Sequence, residues 1–281
     1  MMKRLIVSAN DKKDAEKLLQ SGADEVILAV GGMSFTALRK TAAEEIPAGI
    51  PVSLLVNKLF FPEEMGTAEA FFASLSAQRA EALYFADPAM LVYARKAGIA
   101  DRMIFHPGTL ITSAEEAKWW LGQGIRSVVI SPLLTMDELL HIARQVPQAE
   151  VIIHGRNVLS VSRRRLLSAY MDRDMEQKEG LYLVEEKRDG KMPVWEDEEG
   201  TQIFSDQIQQ SFTYLRRMQE AGFSRFQIDG TMTDTEELCT AVSLYRKILD
   251  GADGEACAEA FYAQYGKERY GVGYYEEKTI L

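Results

Sequence analysis

The chain has 281 residues, 47% hydrophobic and 26% charged, as expected for a globular protein with one large domain or two small ones. Its formal net charge of -10 argues against a general polyanion-binding surface, so contact with nucleic acid would need a local basic patch. Two cysteines, Cys239 and Cys257, are too few for a four-cysteine metal or iron–sulphur site within one chain.

No apolar run approaches the roughly 20 residues of a membrane span. The apolar residues that follow Met1–Arg4 are also too few for the core of a signal peptide. We therefore expect a cytoplasmic protein.

Eight short apolar or β-branched runs follow one another along the chain, separated by polar turns and amphipathic stretches. The runs are Leu5–Val7, Val26–Val30, Val52–Val56, Ala82–Phe85, Met103–Phe105, Ser127–Ile130, Val151–Ile153 and Arg225–Ile228. Runs this short and continuously apolar are typical of strands buried on both faces of a parallel sheet.

The segments between the runs carry helix signals. Glycines such as Gly22 and Gly98 precede a run, where a left-handed residue can close a helix. Asp11, Ser113 and Thr135 stand where a helix N-cap is expected, and so does the pair Asp87-Pro88.

Eight strands alternating with helices predict an α/β fold, a (β/α) TIM-type barrel that spans residues 1–281 as one domain. The alternative is a doubly wound open sheet, but no Gly-x-Gly-x-x-Gly sequence follows the first strand. About seventy residues separate the last two runs. There, Asp189-Gly190 is a hairpin-turn signal, so residues 180–206 are predicted to form a β-hairpin insertion. Residues 266–281 are predicted to form a tail that packs on the barrel or on a partner.

In such a barrel the functional side chains lie at the carboxyl ends of the strands. His106 and His154 each end a strand, where a histidine serves as general base, donor or metal ligand, or simply caps the strand. Asp229 follows the last strand directly and would point into the mouth of the barrel. Asn57 could orient a substrate or bond to its own turn.

Arg156 and the run Arg163–Arg165 follow the seventh strand in a chain that is acidic overall. Several guanidiniums at one mouth would bind a phosphate or carboxylate in bidentate fashion. The alternative is a solvated helix face that pairs with Asp172, Asp174 and Glu176.

The sequence around the seventh strand resembles the signature of the collagenase-like peptidases (peptidase group U32). Seven residues match that signature: His154, Gly155, Ser160, Ser162, Arg164, Leu166 and Ser168. Further matches in chain order extend the resemblance over nearly the whole chain, among them Val56-Asn57, Asp87-Pro88 and His106 to Thr109. The stretches Lys191–Thr201 and Phe226–Gly230 resemble a shorter subgroup, the first member of a pair implicated in prephenate-dependent hydroxylation of the tRNA wobble uridine.

The resemblance implies an enzyme family whose members commonly carry a cysteine-ligated iron–sulphur cluster and often work in pairs. In this chain Val158 and Arg165 stand where the family has its cysteines. We therefore expect no cofactor in this chain, and a cluster in a cysteine-containing homologous partner.

Three functional hypotheses follow. The first is a subunit that forms 5-hydroxyuridine in tRNA, contacting that partner, a small prephenate-like carboxylate and tRNA. His154 and Asp229 would then be catalytic, and six residues would bind substrate or an anion: Asn57, His106, Thr109, Arg156, Arg164 and Arg165. The second is a peptidase assisted by a metal at His106 and His154. The third is a scaffold without catalysis.

Overall fold

Eight parallel strands of the chain close into a barrel. The structure, a computed structural model, describes residues 3–35, 39–172, 180–186 and 190–278. The barrel strands are β1 (Arg4–Ser8), β2 (Glu25–Ala29), β3 (Val52–Val56), β4 (Leu83–Phe85), β5 (Met103–Phe105), β6 (Ser127–Val128), β7 (Glu150–Ser162) and β11 (Arg225–Asp229). They pair in the order β6-β5-β4-β3-β2-β1-β11-β7. A parallel bridge between Val129 and Glu150 joins β7 back to β6, so the predicted barrel is confirmed.

Helices surround the barrel. They are α1 (Lys12–Gln20), α2 (Met65–Phe72), α3 (Leu75–Arg79), α4 (Ala89–Lys96), α5 (Ala114–Leu121), α6 (Met136–Gln145), α7 (Leu166–Met171), α8 (Leu215–Ala221), α9 (Thr235–Leu249) and α10 (Gly254–Tyr265). The predicted caps Asp11, Ser113 and Thr135 each accept a backbone N–H of the following turn. In the described residues between β2 and β3 the only helical segment is a 3-10 turn, Ala43–Glu45. No helix of the described chain is long and apolar enough to cross a membrane.

Side chains of each strand alternate between two packed layers. In β1, Leu5 and Val7 pack against the helices, whereas Ile6 points into the barrel. Burial of each such side chain stabilises the fold by ~1.5–3 kcal/mol. The barrel interior is filled by Ile6, Ile27, Ala29, Leu55, Ala82, Tyr84, Ile104, Val129 and Ile152. Because this layer fills the interior, a ligand can reach the barrel only at one of its ends.

Buried polar groups fill the amino-terminal end of the barrel. The guanidinium of Arg225 donates to Glu150 at 2.5 Å, and the hydroxyl of Tyr84 donates to the other oxygen of that carboxylate at 2.8 Å. Arg4 pairs with the fully buried Glu25 at 3.1 Å. Burial raises the pKa values of Tyr84 and Glu150, although Arg225 opposes the shift. The opposite, carboxyl-terminal end is therefore the open one.

The excursion from the barrel is larger than the predicted hairpin. It contains β8 (Tyr182–Val184), β9 (Lys191–Asp197) and β10 (Gly200–Gln210), and β10 pairs antiparallel with a long extension of β7. The β9–β10 connection is the two-residue turn Glu198-Glu199. Asp189 of the predicted turn lies outside the described residues, but β8 and β9, which flank it, do pair antiparallel. Residues 154–162 mix polar and apolar side chains, so their sequence did not predict a strand.

The described part of the carboxyl-terminal segment packs on the barrel. Its short strand β12 (Tyr270–Gly271) pairs in parallel with β10. Tyr275 is buried, and its backbone carbonyl accepts from Met136 at 3.0 Å. This segment thus joins β10 to the start of α6.

Candidate functional site

A cavity of ≈ 410 Å³ lies at the carboxyl-terminal end of the barrel. Its apolar lining includes Ile27, Ala29, Leu55 and Ile152, which belong to the layer that fills the barrel. Polar side chains from the strand ends and the following loops line the rest: Ser8, Asn10, Asn57, His106, Thr109, Arg156, Asn157, Ser160, Arg163, Gln227, Asp229 and Thr231. A concave, mostly apolar site with a few converging polar groups is typical of small-ligand binding.

Asp229 lies in this cavity, where its sequence position predicted it. Its Oδ1 accepts from the Ser8 hydroxyl at 3.0 Å and from the backbone N–H of Thr231 at 2.9 Å. Ser8 in turn accepts from the backbone N–H of Gly230 at 3.0 Å. Two neighbouring groups therefore hold the carboxylate, and the Gly230 N–H holds Ser8 in turn.

His106 also lines the cavity, together with Thr109 from the same loop. Burial lowers the pKa of His106 to about 4, although the Asp229 carboxylate opposes this shift. The ring is therefore neutral near pH 7. Its Nδ1 has no hydrogen-bond partner among the described residues. A neutral imidazole with a free ring nitrogen can donate or accept one hydrogen bond with a bound ligand.

Asn57 serves the loop beside it as well as lining the cavity. Its Oδ1 accepts from the Ser34 hydroxyl at 3.1 Å and from the backbone N–H of Phe35 at 3.0 Å. Those bonds hold the loop after β2 against the end of β3. Asn57 therefore positions a wall of the cavity, and its role in orienting a substrate stays a prediction.

The three arginines predicted to bind an anion do not all line the cavity. Arg156 lines the cavity, but its guanidinium donates to the carbonyls of Ser205 and Asp206 at 2.7 Å each. Burial, with a smaller effect from nearby Arg269, lowers the pKa of Arg156. Arg164 is exposed and lies outside the cavity lining.

Arg165 also lies outside the cavity lining. Its side chain is 40% exposed and lies 3.7 Å from the carboxylate of Glu196. The predicted alternative was that these arginines pair with the acidic residues that follow them. Of those residues, Asp174 and Glu176 lie outside the described part of the chain. Arg164 and Arg165 lie in the short connection between the end of β7 and the start of α7.

Arg163, unlike Arg164 and Arg165, lines the cavity. Its guanidinium contacts the carboxylate of Glu64 at 3.0 Å and lies 3.8 Å from that of Glu199. Lys58, 6% exposed, pairs with the same two carboxylates at 2.9 and 2.7 Å. The Arg163 guanidinium also lies 4.8 Å from the centre of the Phe61 ring. We call Lys58, Glu64, Arg163 and Glu199 the rim network; it joins the loop after β3 to the β9–β10 turn.

His154, expected to be catalytic, does not line the cavity. It is fully buried on the other side of β7, where its Nδ1 lies 3.3 Å from the Tyr245 hydroxyl of α9. The rings of Phe212, Phe261 and Tyr270 surround it as well. Burial lowers its pKa to about 3. The register between β7 and β11 shifts beside His154, and its side chain points outward toward the helices.

Two amide side chains of the cavity were not predicted. Gln227 of β11 is 2% exposed and Asn157 of β7 is 5% exposed. Each has an amide oxygen without a partner among the described residues, and the other end of Asn157 donates to Gln209 at 2.9 Å. Gln227 is a polar residue inside an otherwise apolar strand, and this feature of the sequence could have indicated a side chain at the cavity.

The residues present do not fit an iron–sulphur cluster. Val158 lines the cavity, and Arg165 contacts Glu196, so neither position offers a thiolate. The two cysteines lie on α9 and α10, Cys257 being buried. In the described part of the chain, no three His, Cys, Asp or Glu side chains group as metal ligands do.

Comparison with known proteins places the chain in a family. The model of peptidase family U32 matches residues 10–276. The tRNA hydroxylation protein P2 of Bacillus subtilis is 28% identical over 88% of this chain and 85% of its own length. The tRNA hydroxylation protein P1 of the same organism is 22% identical over 88% of this chain, which spans 63% of that protein. A solved structure of a U32 peptidase superposes with a TM-score of 0.51 at 11% identity, covering 81% of this chain and 92% of that one, which supports the fold alone. The chain is a member of peptidase family U32.

Proposed function

We propose that this chain takes part in the hydroxylation of a uridine in tRNA, to 5-hydroxyuridine, as one subunit of a pair. The observation that carries the proposal is the match to tRNA hydroxylation protein P2, which extends over 88% of this chain and 85% of that protein. The match therefore covers the barrel and the excursion that walls its cavity, rather than one motif.

In this proposal the chain binds and orients a reactant, and a partner supplies the redox centre. The barrel-end cavity offers Asp229 and a neutral His106, but no thiolate. A cysteine-containing member of the same family would hold the iron–sulphur cluster. We assign the prephenate-like carboxylate to the complex as a whole. In this chain Arg163 is paired with Glu64, whereas Arg156 lines the cavity and donates to two backbone carbonyls.

The geometry does not favour the alternative of a metal-assisted peptidase. His106 lines the cavity whereas His154 lies behind β7, so the two rings cannot share one metal ion there. The remaining alternative is a scaffold without catalysis, and the Asp229→Asn variant distinguishes it from the proposal.

Mass spectrometry of tRNA from a deletion strain tests the proposal. We expect wobble 5-hydroxyuridine to disappear and to return when the native gene is supplied. Asp229→Asn should restore less than a tenth of it, because the cavity loses its carboxylate, whereas the exposed Asp101→Asn serves as a matched control and should restore it fully. Unchanged 5-hydroxyuridine in the deletion strain would exclude the function, and full restoration by Asp229→Asn would favour the scaffold.

Anaerobic affinity purification tests the pairing. The tagged full chain should bring down a cysteine-containing family member together with iron. Recovery of the chain alone and free of iron would contradict the pairing while leaving the deletion result to stand by itself.

A further inference from the structure

Exposed large apolar side chains are concentrated on one side of the molecule. Among the described residues twelve are of this kind, and ten of them lie at the carboxyl-terminal end of the barrel or in residues 161–184 of the excursion. The other two, Val92 and Trp119, lie on the outer helices α4 and α5. Single exposed apolar residues are normal on a protein surface, whereas ten on one side mark a surface that binds something.

Four of the ten surround the opening of the cavity. Leu59, Leu110 and Val161 line the cavity and are 50–63% exposed. Phe61 lies beside them, because Arg163 donates to the Leu59 carbonyl at 2.5 Å and its guanidinium lies 4.8 Å from the centre of the Phe61 ring. These side chains come from the loops after β3 and β5 and from the end of β7. A molecule that packs on them therefore also covers the mouth of the cavity.

Two elements of the excursion supply the other six. Five of the six residues of α7 are apolar, and none of them is buried. All three residues of β8 are apolar and exposed, although successive side chains of a strand point to opposite faces. Among the described strands only β9 pairs with β8. The six exposed side chains belong to Leu166, Tyr170, Met171, Tyr182, Leu183 and Val184. We call them, together with the four at the mouth, the apolar face.

The apolar face is continuous from the mouth to β8. Helix α7 follows the end of β7, and the backbone N–H groups of Leu167 and Ser168 donate to Glu196 of β9 at 2.7 and 3.0 Å. Strand β8 pairs with β9 from Pro193, which is three residues and so about 10 Å from Glu196. Both elements therefore lie on the same ribbon beside the mouth.

The area of the apolar face matches that of a protein interface. Its residues are 41–86% exposed. Ten large side chains so exposed present on the order of 1,000 Å². The largest patch of an ordinary monomer is roughly 300–600 Å², and a standard interface takes about 800 Å² from each partner.

The chemistry of the apolar face favours a protein over RNA. Seven of its ten side chains are Leu, Val or Met, which have no ring on which a base can stack. None of the ten is charged, whereas contacts with phosphates need lysine or arginine. The net charge of the whole chain, -10, also opposes RNA.

The position of the cavity indicates which protein docks there. The described lining of the cavity contains no cysteine, and the packed layer of the barrel closes the cavity from below. A redox centre that acts on a bound reactant must therefore lie at the mouth. A second copy of this chain would bring only another cavity without a thiolate, whereas a cysteine-containing homologue would bring its cluster.

We infer that the apolar face is the docking surface for the cysteine-containing homologous subunit, which covers the mouth of the cavity in the complex. The inference rests on the proposed function for the identity of the partner. It adds the place of contact and the residues that make it.

Titration of the full chain with the partner tests the inference. The probe is the cysteine-containing U32 member of the same organism, purified separately under anaerobic conditions with its iron, and calorimetry measures the affinity. Tyr170→Lys combined with Val184→Lys should weaken binding about thirtyfold, because two apolar contacts are lost and a lysine opposes strand pairing at the edge of β8.

Val92→Lys combined with Trp119→Lys is the matched control, because these apolar residues are 53% and 60% exposed on the outer helices. It should change the affinity by less than about twofold. Both double variants should unfold at the urea concentration of the native chain, since the replaced side chains are exposed. No binding of the probe to the native chain, or equal binding by the two double variants, would overturn the inference.

A photo-crosslinking amino acid tests whether the partner covers the mouth. Benzoylphenylalanine in place of Leu110, which is 63% exposed at the mouth, should crosslink to the partner. The same residue in place of Trp119 should not. The reverse pattern would place the partner on the outer helices and overturn the inference.

Two further measurements separate the other occupants of the apolar face. Sedimentation of the chain alone should show a monomer, and a dimer that Tyr170→Lys with Val184→Lys dissociates would assign the face to a second copy. The affinity for tRNA should be the same in that variant as in the native chain. Loss of tRNA binding with intact partner binding would assign the face to RNA, and either assignment would overturn the inference.

The inference and the proposed function can fail separately. Partner binding that depends on the apolar face, together with unchanged 5-hydroxyuridine in the deletion strain, would defeat the proposed function alone. Loss of 5-hydroxyuridine in that strain, together with native partner binding by both double variants, would defeat this inference alone.

Discussion

At the scale of single residues, Gly155 shows how closely the chain approaches the cavity. Its φ is +129°, and a Cβ there would lie 2.4 Å from the carbonyl oxygen of Asp229 and 2.8 Å from its Cβ. Any side chain at position 155 would therefore clash with Asp229 at the end of β11. Gly98 also has a positive φ, +73°, but nothing lies within 4 Å of its hypothetical Cβ.

Gly155→Ala should destabilise the protein by more than ~3 kcal/mol, whereas Gly98→Ala should cost only the ~1–2 kcal/mol of the left-handed backbone. The difference between the two arises from displacement of Asp229. Urea unfolding measures both free energies, and equal costs would contradict the close approach.

Two buried histidines make the stability of the fold depend on pH. Burial lowers the pKa of His154 to about 3 and that of His106 to about 4, from an ordinary value of 6.5. The unfolded chain therefore binds more protons than the folded chain below about pH 6.5. Their contribution to stability is complete above that pH and is lost as the pH falls toward their folded-state pKa values.

His154→Phe should retain about 2 kcal/mol more of its stability than the native chain does when the pH falls from 7 to 5. Phenylalanine fits the aromatic surroundings of His154 and cannot be protonated. Urea unfolding at the two pH values gives the comparison. Identical losses in both proteins would mean that His154 is protonated in the folded chain.

At the scale of elements, the excursion is held over the barrel end by the rim network. Lys58 follows β3, and Glu199 lies in the β9–β10 turn, 141 positions away in the chain. The Arg163 guanidinium lowers the pKa of the Glu64 carboxyl to about 2. A buried cation between two carboxylates is costly to remove, because the carboxylates are then left in a low-dielectric site.

Lys58→Met should therefore lower the free energy of unfolding by about 3 kcal/mol, and the loss should persist at 0.5 M salt. Lys96→Met is the matched control, because the Lys96–Glu69 pair is more than half exposed on both sides, and its loss should be within about 0.5 kcal/mol. If both variants lose the same small amount, the rim network does not anchor the excursion.

At the scale of the whole molecule, the carboxyl-terminal segment joins elements that are far apart in the chain. The Tyr275 hydroxyl accepts from the Gln209 side chain at 2.8 Å and shares a hydrogen bond with Ser211 at 2.6 Å. Burial raises the pKa of this hydroxyl above its ordinary value. The segment thus closes the outside of β10 beside the residues that support the cavity wall.

Tyr275→Phe should cost about 1–3 kcal/mol, because the buried side chains of Gln209 and Ser211 each lose one of their hydrogen bonds. Tyr274→Phe should change stability by no more than about 0.5 kcal/mol, since this neighbouring tyrosine is only partly buried. Thermal unfolding of both variants provides the measurement. A Tyr274→Phe loss as large as that of Tyr275→Phe would contradict the assigned contacts.

The sequence by itself determined the barrel and which of its ends carries the cavity. Each barrel strand is a short apolar run, and burial on both faces produces that pattern within a few consecutive residues, so all eight strands were predicted. Asp229, His106 and Thr109 were predicted at the cavity because parallel strands bring their carboxyl ends together. The extension of β7 was missed, because a half-exposed ribbon carries no continuous apolar run.

Only the tertiary structure decided which polar groups face the cavity and which charges remain there. Arg163 is neutralised by Glu64 and Glu199, partners that no local periodicity connects to it. A register shift beside His154 turns that ring toward α9 and α10, and strand alternation places Gln227 at the barrel end. Side-chain direction and ion pairing depend on contacts between distant segments, so composition and spacing along the chain do not specify them.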